Sequence, residues 1–324
     1  MSDVALVTGP TSAMTFAAAL AESDVSPADL TVLMKTELTL DHPFTALTRR
    51  TVEQLAPPSR FAAWDGTSPV SAPACDRLWL CRPFRPPEKR LAAALADAPI
   101  MIFDEGLGSF ADRPVDPAPT SDPASFAKPS VPGWLIERIA ACYFSVSGPP
   151  TPAHLRQARV QRIPAERMRR SLSAFGAARV GVRGATLIAG TAFHLSGGVA
   201  AADEQDHYLR LIKRFAERGE PVIWAPHPRA AEAFADAPAW RAAEESGAFL
   251  TAPLAQGAPV ELLGLEGAVA RVVSLGGSPL LTFPDWFGVE AMASRDPRFD
   301  DVAERLEHVQ LVRDRLPAVE IGPD

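Results

Sequence analysis

Three cysteines, Cys75, Cys81 and Cys142, are too few and too scattered for a disulfide framework, and they form no CxxC pair. A reducing, cytoplasmic setting is therefore expected. Net positive charge is also missing. The 32 basic residues are outnumbered by 39 acidic ones, for a net of −7, which disfavours nucleic-acid binding through bulk charge. No apolar run approaches the ~18 residues of a membrane span. The opening MSDVALVTGP lacks the cationic start and uninterrupted apolar stretch of a signal peptide. The histidines show no HxxxH spacing, so no metal site is expected. Tyrosine is scarce, with only Tyr143 and Tyr208.

Apolar residues, by contrast, make up 47% of the 324, enough to bury a core and exclude wholesale disorder. The 32 prolines are about twice the ordinary share. The length predicts two domains. Short apolar runs alternate with helical patterns. Val4 to Val7, Leu30 to Met34, Leu78 to Leu80 and Ile100 to Phe103 read as strands, with helices from Met14 to Ala21 and Pro87 to Ala96. From Arg113 to Pro132 the prolines break the periodicity, and a helix from Trp134 to Cys142 follows. The alternation restarts at ATLIAG from Ala185. It continues through the helix Asp203 to Arg218, strand Pro221 to Ala225, helix Arg229 to Ser246 and strand Arg271 to Gly276, and ends in a long helix from Asp296 to Leu316. Such alternation predicts an α/β fold of parallel sheets in two halves, 1–182 and 183–324.

Four segments could carry chemistry. VALVTGPTSAM resembles the first strand and glycine turn of a short-chain dehydrogenase. The Tyr with a Lys four residues on is absent, because Tyr143 and Tyr208 are followed there by Ser147 and Ile212, and no G-x-G-x-x-G is present. FDEGLGSF places Asp104 and Glu105 just past a strand end, where adjacent carboxylates raise one pKa and suit a general base; the alternative is a solvated turn. WAPHPR holds His227 between two prolines at a strand terminus, suited to an anion or simply packed against the turn. SLGGSPLL sets Ser278 as a helix N-cap with Pro279 at the first helical position, either an ordinary cap or a phosphate contact.

In this order the motifs resemble those of bacterial sialyltransferases of the polysialyltransferase and lipooligosaccharide-sialyltransferase families, which share acidic-acidic-Gly, His-Pro and Ser-Ser motifs. The resemblance implies a GT-B fold of two Rossmann-like domains with parallel sheets facing across a cleft. It implies an inverting transfer of sialic acid, or a related nonulosonic sugar, from a CMP-activated donor to a glycan acceptor. On that resemblance Glu105 is the general base, supported by Asp104, and His227 stabilises the CMP phosphate from a loop fixed by Pro228. Ser278 and its neighbour Ser274 belong to the phosphate junction, Glu261 takes the ribose hydroxyls, and Gly190 lets the backbone approach the nucleotide. Gly277 stands where the family has its first serine, which puts the donor in doubt. No metal or other cofactor is implied. The alternatives are a GT-B enzyme using a UDP- or GDP-sugar and a catalytically silent binding relative. The arginines Arg156, Arg159, Arg162, Arg167, Arg169 and Arg170 read as a solvated face or, alternatively, as a groove for an acidic glycan or a peripheral contact with anionic inner-membrane lipid.

Overall fold

A computed structural model describes residues 2–23, 25–35, 42–68, 75–81, 85–104, 133–138, 142–145, 160–176, 180–196, 199–231, 234, 237–252 and 259–322. The chain divides into two compact units, the change falling between Gly176 and Ala177.

The N-terminal unit is built on seven parallel strands: β1 (Asp3–Val7), β2 (Leu30–Lys35), β3 (Arg60–Trp64), β4 (Arg77–Leu80), β5 (Ile100–Phe103), β6 (Cys142–Ser145) and β7 (Val160–Arg162). Their order is β3-β2-β1-β4-β5-β6-β7. All five residues of β1 are buried, as expected of a parallel strand covered on both faces. Its one charged residue, Asp3, accepts from Arg77 Nε at 3.0 Å and Trp79 Nε1 at 2.8 Å, so the buried carboxylate is fully engaged. Helix α1 (Pro10–Ala21) follows with Pro10 at its first position and is buried from Ser12 to Leu20. Helices α2 (Pro43–Leu55), α3 (Pro86–Ala94), α4 (Gly133–Arg138) and α5 (Ala165–Ser173) complete the unit.

The C-terminal unit repeats the plan with six parallel strands: β8 (Ala185–Ala189), β9 (Val222–Ala225), β10 (Leu250–Thr251), β11 (Val269–Ser274), β12 (Glu290–Arg295) and β13 (Ala318–Glu320). The order β10-β9-β8-β11-β12-β13 is the doubly wound 3-2-1-4-5-6 arrangement, counted from the unit's own first strand. Helix α6 (Ala201–Ala216) opens with Asp203 and Glu204 and ends with Lys213 and Arg214, matching its dipole at both ends. Its Tyr208, Leu211, Ile212 and Phe215 are buried. They join an aromatic stack in which Trp224 lies 5.1 Å from Tyr208 and 4.7 Å from Trp240, centroid to centroid. Trp64, Trp79, Trp224, Trp240 and Trp286 are all core residues, whereas Trp134 is exposed. Helices α7 (Pro238–Glu245), α8 (Leu262–Leu265), α9 (Pro279–Phe287), α10 (Asp300–Arg305) and α11 (Glu307–Arg313) complete the unit.

Some elements differ from the sequence expectation. The single closing helix is instead a 3-10 turn (Pro297–Phe299), α10 and α11, broken at Leu306 by non-helical backbone, and then strand β13. β12 has the sequence EAMASR, rich in helix formers, and is a strand because β11 and β13 pair with it on both sides. The stretch expected as a helix ending at Cys142 ends at Arg138, and Cys142 begins β6. The proline-rich stretch from Arg113 to Pro132 lies outside the described residues, as do Arg156 and Arg159. Arg167 pairs with Glu22 at 2.6 Å, while Arg169 and Arg170 both reach Glu166 at 3.3 Å. Among the described residues no helix is long and apolar enough to cross a membrane.

Candidate functional site

In a doubly wound sheet ligands bind beyond the carboxyl ends of the strands where the order reverses. In the C-terminal unit that point lies between β8 and β11, with β9 alongside. Gly190, His227 and the Ser274–Ser278 turn stand at those three strand ends, so the topology gathers the residues singled out in this half.

Gly190 follows β8 directly. A Cβ here would lie 2.8 Å from Trp224 Cη2 and 3.0 Å from the backbone nitrogen of His227. The absent side chain thus makes room for the Pro226-His227 turn. His227 follows β9 and is half-buried. Its Nδ1 accepts from the Arg229 N–H at 3.2 Å, which leaves Nε2 as the protonated, donating ring atom. Burial and then the Arg229 cation push its pKa down to about 4, opposed by Glu204, with a smaller lowering from His194. Near neutral pH it is therefore an uncharged hydrogen-bond donor.

At the end of β11, the buried Ser274 hydroxyl accepts from Gly276 N–H at 3.3 Å and Gly277 N–H at 3.1 Å, holding the glycine turn closed. A Cβ on Gly277 would stand 3.9 Å from the Gly190 carbonyl oxygen, so the two turns meet across the switch point. Ser278 occupies the N-cap position of α9 but makes no side-chain cap bond, and Pro279 begins the helix. The Ser278 side chain therefore does not cap α9, and the Ser274 hydroxyl fastens the glycine turn that precedes it. The buried Glu261 precedes α8 and accepts from Thr282 Oγ1 of α9 at 3.2 Å. Burial raises its pKa to about 6.

Sequence reasoning missed the residue that organises the site. Glu204, fully buried in the first turn of α6, accepts from Thr191 Oγ1 at 2.5 Å and Phe193 N–H at 3.1 Å through one oxygen. Through the other it accepts from the backbone N–H of His194 at 3.1 Å and pairs with His194 Nδ1 at 2.5 Å. Thr191 Oγ1 also lies 3.0 Å from the Tyr208 hydroxyl, whose pKa burial raises. The available signal was an acid just inside a helix start, in the first helix after a strand-ending glycine. This first βα turn is where dinucleotide-binding folds receive a pyrophosphate. Here the protein's own carboxylate takes the Phe193 and His194 N–H groups.

Asp104 is buried at the end of β5, and its carbonyl accepts from Thr15. Glu105 lies outside the described residues. Among the described residues no group of three or more His, Cys, Asp or Glu is placed to hold a metal ion.

No family model matches the chain, and no curated protein matches it. Solved structures do match. The UDP-GlcNAc 2-epimerase of Methanocaldococcus jannaschii, determined with UDP-GlcNAc and UDP, is 12% identical with a TM-score of 0.55, covering 97% of this chain and 93% of its own. A putative UDP-N-acetylglucosamine 2-epimerase from Listeria monocytogenes is 11% identical with a TM-score of 0.52, covering 98% of this chain and 91% of its own. The UDP-N-acetylglucosamine 2-epimerase of Rickettsia bellii is 11% identical with a TM-score of 0.51, covering 98% and 89%. The fold is of the GT-B type. These neighbours overturn the sialyltransferase resemblance. Its motifs were two or three residues long, and strand-end Gly, His-Pro and Ser turns recur wherever parallel strands feed helices.

Proposed function

We propose that this chain is a nucleotide-sugar enzyme that binds a UDP-sugar at the β8, β9 and β11 ends and breaks the bond between the sugar and the diphosphate. The observation that carries this reading is the convergence of Gly190, His227 and the Ser274–Ser278 turn on one switch point, with the start of α9 beside them. The neutral His227 donates from Nε2 to a diphosphate oxygen. The Ser278 hydroxyl and the positive end of α9 face the same charge. Glu261 accepts the two ribose hydroxyls, and its pKa of about 6 leaves it mostly ionised near pH 7. Together these groups stabilise UDP as it departs, which lowers the barrier to losing the sugar. The oxygen of a glycan acceptor hydroxyl then bonds to the anomeric carbon that UDP has left, and the hydroxyl proton passes to solvent.

Titration calorimetry with UDP, UDP-GlcNAc, GDP and CMP tests the donor. UDP is expected to bind, and to add about 2.7 kcal/mol of stability at a hundredfold excess over Kd. His227→Ala is expected to weaken it about tenfold, as loss of a hydrogen bond to a charged group would. Binding of CMP in preference to UDP, or of no nucleotide, would refute the proposal. A second reading, interconversion of the sugar at C2, is favoured by the likeness to three 2-epimerases. Incubation with UDP-GlcNAc separates the two, since only epimerisation yields the 2-epimer without an added acceptor.

A further inference from the structure

The two imidazoles near the switch point are held in opposite hydrogen-bonding roles. His227 receives an N–H at Nδ1 and so donates from Nε2. His194 sits in the 3-10 turn Phe193–Ser196, with its Nδ1 2.5 Å from a carboxylate oxygen of Glu204. An ionised carboxylate only accepts, so His194 Nδ1 carries the proton and Nε2 is the atom left for a ligand. The Glu204 carboxylate is close enough for its charge to act on His227. Glu204 is itself over-determined. Its four hydrogen bonds come from Thr191, Phe193 and, twice, from His194, all within the first βα turn. A carboxylate with no exposed surface is retained only when so paired, since desolvation would otherwise cost several kcal/mol.

We propose that Glu204 is a positioning residue that fixes the His194 tautomer, so that His194 presents a proton-accepting Nε2 to the bound nucleotide sugar while His227 presents a donating one. The inference rests on the nucleotide-sugar reading of this unit. In use, a ligand hydroxyl donates a hydrogen bond to His194 Nε2 while Nδ1 keeps its own proton against the adjacent Glu204 carboxylate. The same geometry makes the site selective. A ligand oxygen that must accept a hydrogen bond belongs beside His227, and a hydroxyl that must donate one belongs beside His194. Among the described residues, the charged groups in reach of the pair are Glu204 and Arg229.

The test is nitrogen-15 NMR of the imidazole rings in the full chain, labelled at histidine and observed at pH 8. Wild-type His194 is expected to show a protonated Nδ1 and a bare Nε2, and His227 the reverse. Glu204→Gln should convert His194 to a mixture of tautomers, with circular dichroism confirming that the fold persists. A wild-type His194 protonated at Nε2, or one unmoved by Glu204→Gln, overturns the proposal. If Glu204→Gln does not fold, His194→Gln keeps a donor for Glu204 and serves instead. It should retain the thermal midpoint yet bind UDP-GlcNAc about tenfold more weakly, and unchanged affinity would overturn the proposal. Failure of wild-type protein to bind UDP would refute the nucleotide-sugar reading itself, and the tautomer spectra distinguish that result.

Discussion

The two units share a strand order and differ in how each closes its first βα turn. In the N-terminal unit a neutral hydroxyl does it. Ser12 Oγ accepts from Thr8 N–H at 3.0 Å and Gly9 N–H at 2.9 Å, and donates to the Gly9 carbonyl at 2.8 Å. In the C-terminal unit the same place is held by the Glu204 carboxylate and draws in His194. One topology therefore supports two electrostatic designs. The neutral turn is a local staple, whereas the charged turn ties a helix start to an imidazole at the ligand end of the sheet. The difference teaches that the switch point is a place and that its chemistry is set by which side chain satisfies the turn.

The largest expected effect comes from removing each closure. Glu204→Leu strands two backbone N–H groups and an imidazole, and should destabilise the C-terminal unit by about 3–5 kcal/mol. Ser12→Ala strands two N–H groups and should cost the N-terminal unit about 1–3 kcal/mol. Hydrogen exchange read separately over the two units measures both. Equal losses would mean that the carboxylate is no more than another staple.

A smaller effect separates the units by pH. His207, fully buried in α6, lies 3.1 Å from Asp296 and 3.1 Å from Ser294, with Arg210 and Arg298 also against Asp296. Burial dominates and lowers its pKa. An imidazole so depressed refuses a proton that the unfolded chain accepts below about pH 6.5, so stability falls as pH drops through that value. His227 acts in the same direction between about pH 6.5 and its folded value of about 4. Glu261 opposes them. Its raised pKa of about 6 means that the folded form takes up a proton first and gains stability as pH falls. Two histidines against one carboxyl predict net acid loss in the C-terminal unit, and His207→Gln should shallow it. Denaturant melts from pH 7.5 to 5 measure the slope, and an unchanged slope in His207→Gln would clear His207 of a role.

Much of this architecture was legible in the sequence, for definable reasons. β1, β2, β4 and β5 were found because buried parallel strands are continuous apolar runs. β12 was not, because Glu290, Ala291, Met292 and Ala293 carry no β-branched signal and pair only through their neighbours. At the site, Gly190, His227 and Gly277 announced themselves as turn residues at strand ends. Glu204 did not, because an acid in a first helical turn is ordinary and only the fold of the 191–194 turn brings four donors to it. The family resemblance failed for the complementary reason. Its motifs report strand ends, and strand ends are common to every doubly wound unit.

The smallest effect falls within the β11 turn and asks whether its glycines serve packing or ligand. A Cβ on Gly276 would lie 2.9 Å from both methyl carbons of Val309, a branched side chain in α11 with little freedom to move. Gly276→Ala should therefore cost about 1–3 kcal/mol by overpacking. A Cβ on Gly277 meets Pro279 Cδ and Ser274 Oγ at 3.2 Å, contacts that a few tenths of an ångström relieve. Gly277→Ala should cost less than about 1 kcal/mol by the same reasoning. Thermal melts of the two variants rank the packing terms, and UDP titration of Gly277→Ala reads the other. A mild melt with much weaker UDP binding would mean that Gly277 stays bare because a phosphate approaches its backbone. A mild melt with unchanged binding would make its small size incidental to the ligand and leave the anion to Ser278 and His227.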